Sequence, residues 1–307
     1  MPSDFSAHLS PAQRERTGFR DEYPFESRWL DVGGKAYHYL DEGPRDAGAN
    51  KGTVLCVHGN PTWSFAWRHL VRDLSPERRV LAVDHIGCGF SEKPQRYDYR
   101  LATHITNLVE FIDRLNLRDL TLVVHDWGGA IGFGAAARRP DRFKRFVVCN
   151  TAAFRSTRIP FRIAVCRWPL FGTIALRGFN AFSRAALTMA TTRPGGLTGA
   201  ARTGYLAPYD SWANRIAVQR FVQDIPMSSF HPSWNTLAAI QDSLERWRGT
   251  PMMLAWGLKD WCFSVEFLAE WVRRFPEAAT VTFEAAGHYL FEDANPDLSQ
   301  HILRFLG

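Results

Sequence analysis

Short, almost wholly apolar runs recur along the chain, each bounded by polar or turn-forming residues: Thr53–Val57, Arg79–Val83, Leu120–Val124, Arg145–Cys149, Met252–Trp256 and Thr280–Phe283. Runs this short, rich in Val and Leu and without strict alternation, predict strands buried on both faces. Between them lie stretches with apolar positions three and four residues apart, which predict helices over Leu101–Asn116, Gly129–Arg138, Ser264–Phe275 and about Asn295–Leu306. Ahead of this series, Ser27–Val32 and Lys35–Asp41 flank Gly33-Gly34, a two-residue hairpin signal. Eight strands alternating with helices predict an α/β fold: a mostly parallel eight-stranded sheet flanked by helices.

The alternation breaks once. From Cys149 to Met252 the chain is rich in Arg, Phe, Trp and Pro and reads as helix interrupted at Pro160, Pro169, Pro194, Gly195 and Gly196. Residues 154–234 are therefore expected to form a helical cap inserted after the sixth strand, leaving 1–153 and 235–307 as the core domain. Such an insertion hangs over the carboxyl ends of the strands, where open α/β sheets bind ligands.

Composition narrows the class. Apolar residues make up 46% and charged residues 22% of 307, which is ordinary for a folded globular chain. No apolar run approaches the ~18 residues that span a bilayer. The stretch Met1–Gly18 is polar and has no apolar signal core, and the five cysteines (Cys56, Cys88, Cys149, Cys166, Cys262) form no C-x-x-C pair. Both features fit a cytoplasmic protein with reduced thiols. The net charge of +6 is unevenly placed. No Asp or Glu occurs from Arg142 to Tyr209, a stretch that contains Arg142, Lys144, Arg145, Arg155, Arg158, Arg162, Arg167, Arg177, Arg184, Arg193 and Arg202. A basic cap of this kind is expected to meet an acidic protein, an anionic membrane surface or a second copy of the chain. No nucleic-acid module is visible.

The sharpest chemical signal is Val124-His125-Asp126-Trp127-Gly128-Gly129, at the end of a buried strand and the start of a helix. This is the strand–turn–helix setting of a nucleophile elbow, with Asp126 at the tip in place of Ser or Cys. A carboxylate beside a helix N-terminus stays ionised and attacks carbon with no base to remove a proton. His58-Gly59-Asn60-Pro61 follows the Thr53–Val57 strand, so the backbone N–H groups of Asn60 and Trp127 are expected to converge as an oxyanion hole. The Asn60 amide and the Trp127 indole add donors for a leaving anion. His288, a few residues after the last strand, falls where a catalytic base sits in the chain order nucleophile, acid, histidine. Asp260, after the Met252–Trp256 strand, is expected to orient it. His58 and His125 are read as holding loop geometry. Asp84-His-Ile-Gly-Cys-Gly-Phe-Ser91 is read as a structural turn, since its glycines do not fit a dinucleotide fingerprint.

These motifs resemble the α/β-hydrolase fold and, within it, the haloalkane dehalogenases. Some members of that family carry a Glu after the sixth strand; this chain has Asn150 there, so the acid role passes to Asp260. The set Asp126, His288, Asp260 with Asn60 and Trp127 resembles the third dehalogenase subfamily. The cap segments Asn150–Phe154, Phe179–Phe182 and Tyr205–Asp210 resemble the β-lactone decarboxylases of bacterial long-chain olefin synthesis. The first resemblance implies haloalkane hydrolysis through an ester on Asp126, with an alcohol and a halide ion as products and no metal or organic cofactor. The second implies opening of a β-lactone to a cis-alkene and carbon dioxide. Epoxide hydrolases share the Asp nucleophile but open the ring with cap tyrosines; Tyr205 and Tyr209 are available, with Pro208 breaking a shared helical face. A non-catalytic binding module remains a further alternative, and it predicts no covalent adduct.

Overall fold

The apolar runs become eight strands of one sheet: β1 Arg28–Val32, β2 Lys35–Glu42, β3 Thr53–Val57, β4 Arg79–Val83, β5 Leu120–Asp126, β6 Phe143–Thr151, β7 Met252–Gly257 and β8 Ala279–Phe283. Their spatial order is β1-β2-β4-β3-β5-β6-β7-β8. The computed structural model describes residues 5–46 and 50–307; the first four residues of the polar N-terminal stretch lie outside them. β1 and β2 form the expected hairpin. Gly33 and Gly34 both have positive φ (57° and 74°), which a two-residue turn between right-twisted strands demands. β2 runs antiparallel to β4, and the strands from β4 to β8 are parallel to one another.

Side chains of the central strands alternate between two apolar layers. Leu55, Val57, Leu122 and Val124 face one side, against helices Leu101–Arg114, Trp127–Arg138 and Val265–Arg274. Val54, Cys56 and Val123 face the other, against helices Arg68–Leu74 and Asp297–Leu306. Coverage on both faces is why these strands read as unbroken apolar runs.

Expected boundaries move by one or two residues at several elements. The helix expected from Gly129 begins at Trp127, directly after the strand, and the one expected to reach Asn116 ends at Arg114, followed by Asn116 with φ 45°.

Between β6 and β7 the chain leaves the sheet for a series of short helices, among them Phe161–Cys166, Pro169–Thr173, Ala181–Met189, Gly199–Leu206, Ile216–Gln223 and Trp234–Ser243. Buried polar contacts fasten this insertion to the core. Arg68 grips Glu292 with two hydrogen bonds of 2.5 and 3.0 Å, and Tyr205, from the helix Gly199–Leu206, donates to the same carboxylate at 2.8 Å. A bidentate, desolvated pair of this kind fixes geometry more than it adds net stability.

Candidate active site

Parallel strands place their carboxyl ends along one edge, and the candidate residues gather there. Asp126 ends β5, Asn60 follows β3, Asn150 lies near the end of β6, Asp260 follows β7 and His288 follows β8. Asp126 sits at φ 52°, ψ −126°, a conformation an L-residue holds only where its surroundings impose it. The neighbouring glycines are what those surroundings require. A Cβ on Gly128 would stand 2.0 Å from the Val57 carbonyl oxygen, and one on Gly59 would stand 2.0 Å from Asp126 Oδ1. The Thr151 hydroxyl donates to the Asp126 carbonyl and closes the turn against β6.

The two carboxylate oxygens of Asp126 have different tasks. Oδ1 accepts the Asn60 backbone N–H at 2.6 Å, and the Trp127 backbone N–H also bonds the carboxylate. The expected pair of N–H donors thus converges on Asp126 itself. Oδ2 lies 3.7 Å from His288 Nε2. Burial raises the Asp126 pKa; His288 and the two N–H donors pull the other way without cancelling it. The result is a poorly solvated, hydrogen-bonded anion, the state in which a carboxylate is most reactive toward carbon.

His288 Nδ1 lies 2.8 Å from Asp260 Oδ2. Burial opposes a charge on this imidazole, but Asp260 and Asp126 more than offset it, and the pKa stands above the ordinary value. Asp260 is itself held: Oδ1 accepts the N–H groups of Cys262 (2.6 Å) and Phe263 (3.0 Å), and Oδ2 accepts the Asn150 amide at 2.9 Å. Asn150 Oδ1 also accepts the Gly257 N–H at 2.8 Å, and its amide donates to the Gly257 carbonyl at 3.1 Å. Asn150 therefore clamps the carboxylate that pairs with His288. Because φ at Asn150 is 34°, Asn150→Ala loses these bonds and strains the backbone. It is expected to cost about 3 kcal/mol of stability, read as a lower thermal midpoint. Turnover is expected to fall about tenfold or more as His288 loses its support.

The remaining polar residues near the site hold loops. His58 Nδ1 lies 2.7 Å from the Gly59 carbonyl, and its Nε2 accepts the His85 N–H at 3.0 Å. His125 Nε2 lies 2.9 Å from the His288 carbonyl. Asp84 accepts the N–H groups of Ser64 (2.6 Å) and Phe90 (2.8 Å) and pairs with His38 at 2.7 Å, so its loop is the expected structural turn. Tyr205 and Tyr209 are buried with protein partners, Glu292 and the Thr62 carbonyl, and neither lines the cavity described next. The tyrosine pair that ring opening of an epoxide would call for is thus absent from that cavity. Among the described residues no cluster of His, Cys, Asp and Glu is placed to hold a metal.

Asp126 and His288 open onto a cavity of about 800 Å³, bounded on the core side by Asn60, Trp127, Phe263 and Tyr289 and on the other by Phe161, Phe171, Phe182, Met189 and Val222. The Asn60 amide donates to the Val218 carbonyl at 3.2 Å, which uses one of its two protons; its Oδ1 is buried without a partner. The Trp127 indole, expected as a second donor, is half-buried in the cavity wall. Sequence reasoning missed most of this lining. It comes from segments scattered between Phe154 and Tyr289, and no spacing rule joins them.

Comparison with known proteins agrees with this geometry. Residues 52–295 match the family described as alpha/beta hydrolase fold. A cis-3-alkyl-4-alkyloxetan-2-one decarboxylase from Shewanella oneidensis is 41% identical, over 92% of this chain and 89% of its own. A haloalkane dehalogenase from Mycolicibacterium paratuberculosis is 33% identical, over 92% and 93%. The crystal structure of the haloalkane dehalogenase DbeA from Bradyrhizobium elkani superposes with a TM-score of 0.83 at 26% identity, covering 92% of this chain and 97% of that one. An aspartate at the elbow, a sheet with this strand order and matches along nine-tenths of the chain have one reading: the protein belongs to the α/β-hydrolase family, in the group that includes haloalkane dehalogenases and oxetanone decarboxylases.

Proposed function

We propose that the protein opens β-lactones carrying two alkyl chains and releases an alkene and carbon dioxide, with Asp126 as nucleophile. The observation that carries this is the Asp126 carboxylate, with Oδ1 held by the Asn60 N–H and Oδ2 beside His288, at the floor of an apolar cavity of about 800 Å³. At roughly 30 Å³ per water-sized group, such a space holds on the order of 25 groups. That is far more than a short haloalkane needs and is suited to a ring with two tails. The 41% identity to an oxetanone decarboxylase points the same way.

In this reading Asp126 Oδ2 attacks the sp³ ring carbon bonded to the ring oxygen. That carbon–oxygen bond breaks, and the ring carboxylate is received by the Asn60 and Trp127 donors. The bond to the carboxylate carbon then breaks and carbon dioxide leaves. The freed electron pair forms the double bond as the ester bond to Oδ2 breaks, which restores Asp126. No water is consumed. Inversion on attack followed by anti departure makes the two removals net syn, so a cis-lactone gives a cis-alkene. His288 Nε2, 3.7 Å from Asp126 Oδ2, stabilises the carboxylate that departs.

Haloalkane hydrolysis is the second reading, favoured by the Trp127 indole in the cavity wall and by the likeness to solved dehalogenases. Here Oδ2 displaces halide and an alkyl ester remains on Asp126. Ester formation neutralises Asp126 and so removes part of what held the proton on His288. The imidazole then takes a proton from water, which attacks the ester carbonyl. The oxyanion forms on Oδ1, held by the Asn60 N–H, and its collapse breaks the bond from the carbonyl carbon to Oδ2, which leaves as the alcohol with the proton from His288 and restores the Asp126 carboxylate.

The same proposal divides the chain into a core, 1–153 and 235–307, and a cap, 154–234, that closes the cavity. It places the protein in the cytoplasm, in keeping with five free cysteines. Incubation with a cis-3,4-dialkyl β-lactone is expected to yield alkene and carbon dioxide, at a higher kcat/KM than halide release from 1-bromobutane. Halide release with no alkene would transfer the protein to the second reading.

A further inference from the structure

A second feature of the insertion concerns how so apolar a substrate reaches Asp126. Large apolar side chains are normally sparse on a surface, and a contiguous group marks a contact site. Here Phe161 is 80% exposed, Trp168 61%, Leu170 76% and Phe179 71%, with Phe171 and Ile174 about half exposed, all within one stretch of short helices. Phe161 and Phe171 also line the active-site cavity, as does Arg162, so the exposed patch is continuous with the cavity wall. The charge carried by the segment itself has one sign. No acidic residue occurs in the sequence between Arg142 and Tyr209, and the patch carries Arg167, Arg162, which lies over the Trp261 ring, and Arg177, which bonds the Trp212 carbonyl and Gln95; none of the three pairs with an acid among the described residues. Just before the segment, Arg158 pairs with Glu266 from another helix.

We infer that the segment 161–179 docks on an anionic phospholipid surface, seating its aromatic and aliphatic side chains at the headgroup boundary with the arginines against lipid phosphates. Apolar residues flanked by arginine on short helices are the composition of interfacial binding. Resting on the lactone reading, the inference gives the substrate a route: a ring with two alkyl chains dissolves in the bilayer and passes along Phe161 and Phe171 into the cavity without crossing water.

The test is sedimentation of the full chain with vesicles of phosphatidylcholine and phosphatidylglycerol, against phosphatidylcholine alone, at low and high salt. Binding is expected only to the anionic vesicles and is expected to weaken with salt. Arg167→Gln should lower the affinity about fivefold. The combined variant Trp168→Ser, Leu170→Ser, Phe179→Ser replaces exposed residues outside the cavity lining and should lower it roughly a hundredfold or more. This variant should retain full turnover of a short, water-soluble lactone and lose turnover of a long-chain lactone supplied in vesicles. The docking inference fails on equal binding to neutral vesicles, on no binding, on a triple variant that binds like the parent, or on a homodimer that the triple variant dissolves without any vesicle binding. Turnover of the soluble lactone without vesicle binding would overturn docking alone; vesicle binding with no turnover of either lactone would overturn the reaction alone.

Discussion

Asp126→Asn is expected to abolish turnover of lactone and haloalkane alike, by at least about 10⁴-fold, while leaving the fold intact. The side chain keeps its shape, and its carbonyl oxygen still accepts the Asn60 N–H. What is lost is the anion that bonds to carbon, for which no other group at the cavity floor substitutes. Stability works in the opposite direction. Burial raises the Asp126 pKa, so the ionised form is disfavoured in the folded state, and stability from this group falls as pH rises through the unfolded and then the folded value. A neutral amide escapes that cost. The thermal midpoint of Asp126→Asn at neutral pH should therefore equal or exceed that of the parent, as strain at functional sites leads one to expect. A variant that melts lower and retains activity would remove Asp126 from the chemistry.

His288→Phe has the second-largest expected effect, and the effect depends on the step. Phe keeps the planar ring that stacks on Phe263 at 5.8 Å between ring centroids. Attack by Asp126 on a haloalkane needs no base and continues. Hydrolysis of the resulting ester needs a neutral imidazole and should fall by about 10⁴-fold. The parent's pH dependence follows from the same residue. Burial opposes the imidazolium, Asp260 and Asp126 outweigh burial, and the pKa lies above the ordinary value. Ester hydrolysis should rise with pH through the His288 value of the ester form, which lies below that of the resting site because the Asp126 charge is gone, and show no such limb in His288→Phe. The stability linkage has the reverse sign: the contribution of the charged imidazole is complete below the unfolded histidine value and is lost as pH rises through the folded one.

Much of this was legible in the chain because the physics is local. Each buried strand announces itself as an apolar run, and each site residue lies at or just beyond a strand end, so Asn60, Asp126, Asp260 and His288 could be named from position alone. The start of the helix at Trp127 was not legible: Gly128 and Gly129 are poor helix formers, present because Val57 and Thr151 leave no room for a Cβ. Nor was the clamp of Asn150 on Asp260, which exists only because β6 and β7 are neighbours in the sheet though a hundred residues separate them in sequence. The cavity lining was the least legible part. The helices that supply it are too short for periodicity to show, and one turn, Ile174–Gly178, is a π-helix that no spacing rule anticipates.

The central claim is that Asp126 forms a covalent bond to substrate carbon, and the most direct test is the intact mass of His288→Phe after exposure to 1-bromobutane. The account predicts a gain of one butyl group per chain, located on the peptide containing Asp126 and absent when Asp126→Asn is added. An unmodified mass in a variant shown to bind the haloalkane, or an adduct that persists in the Asp126→Asn background, would contradict it.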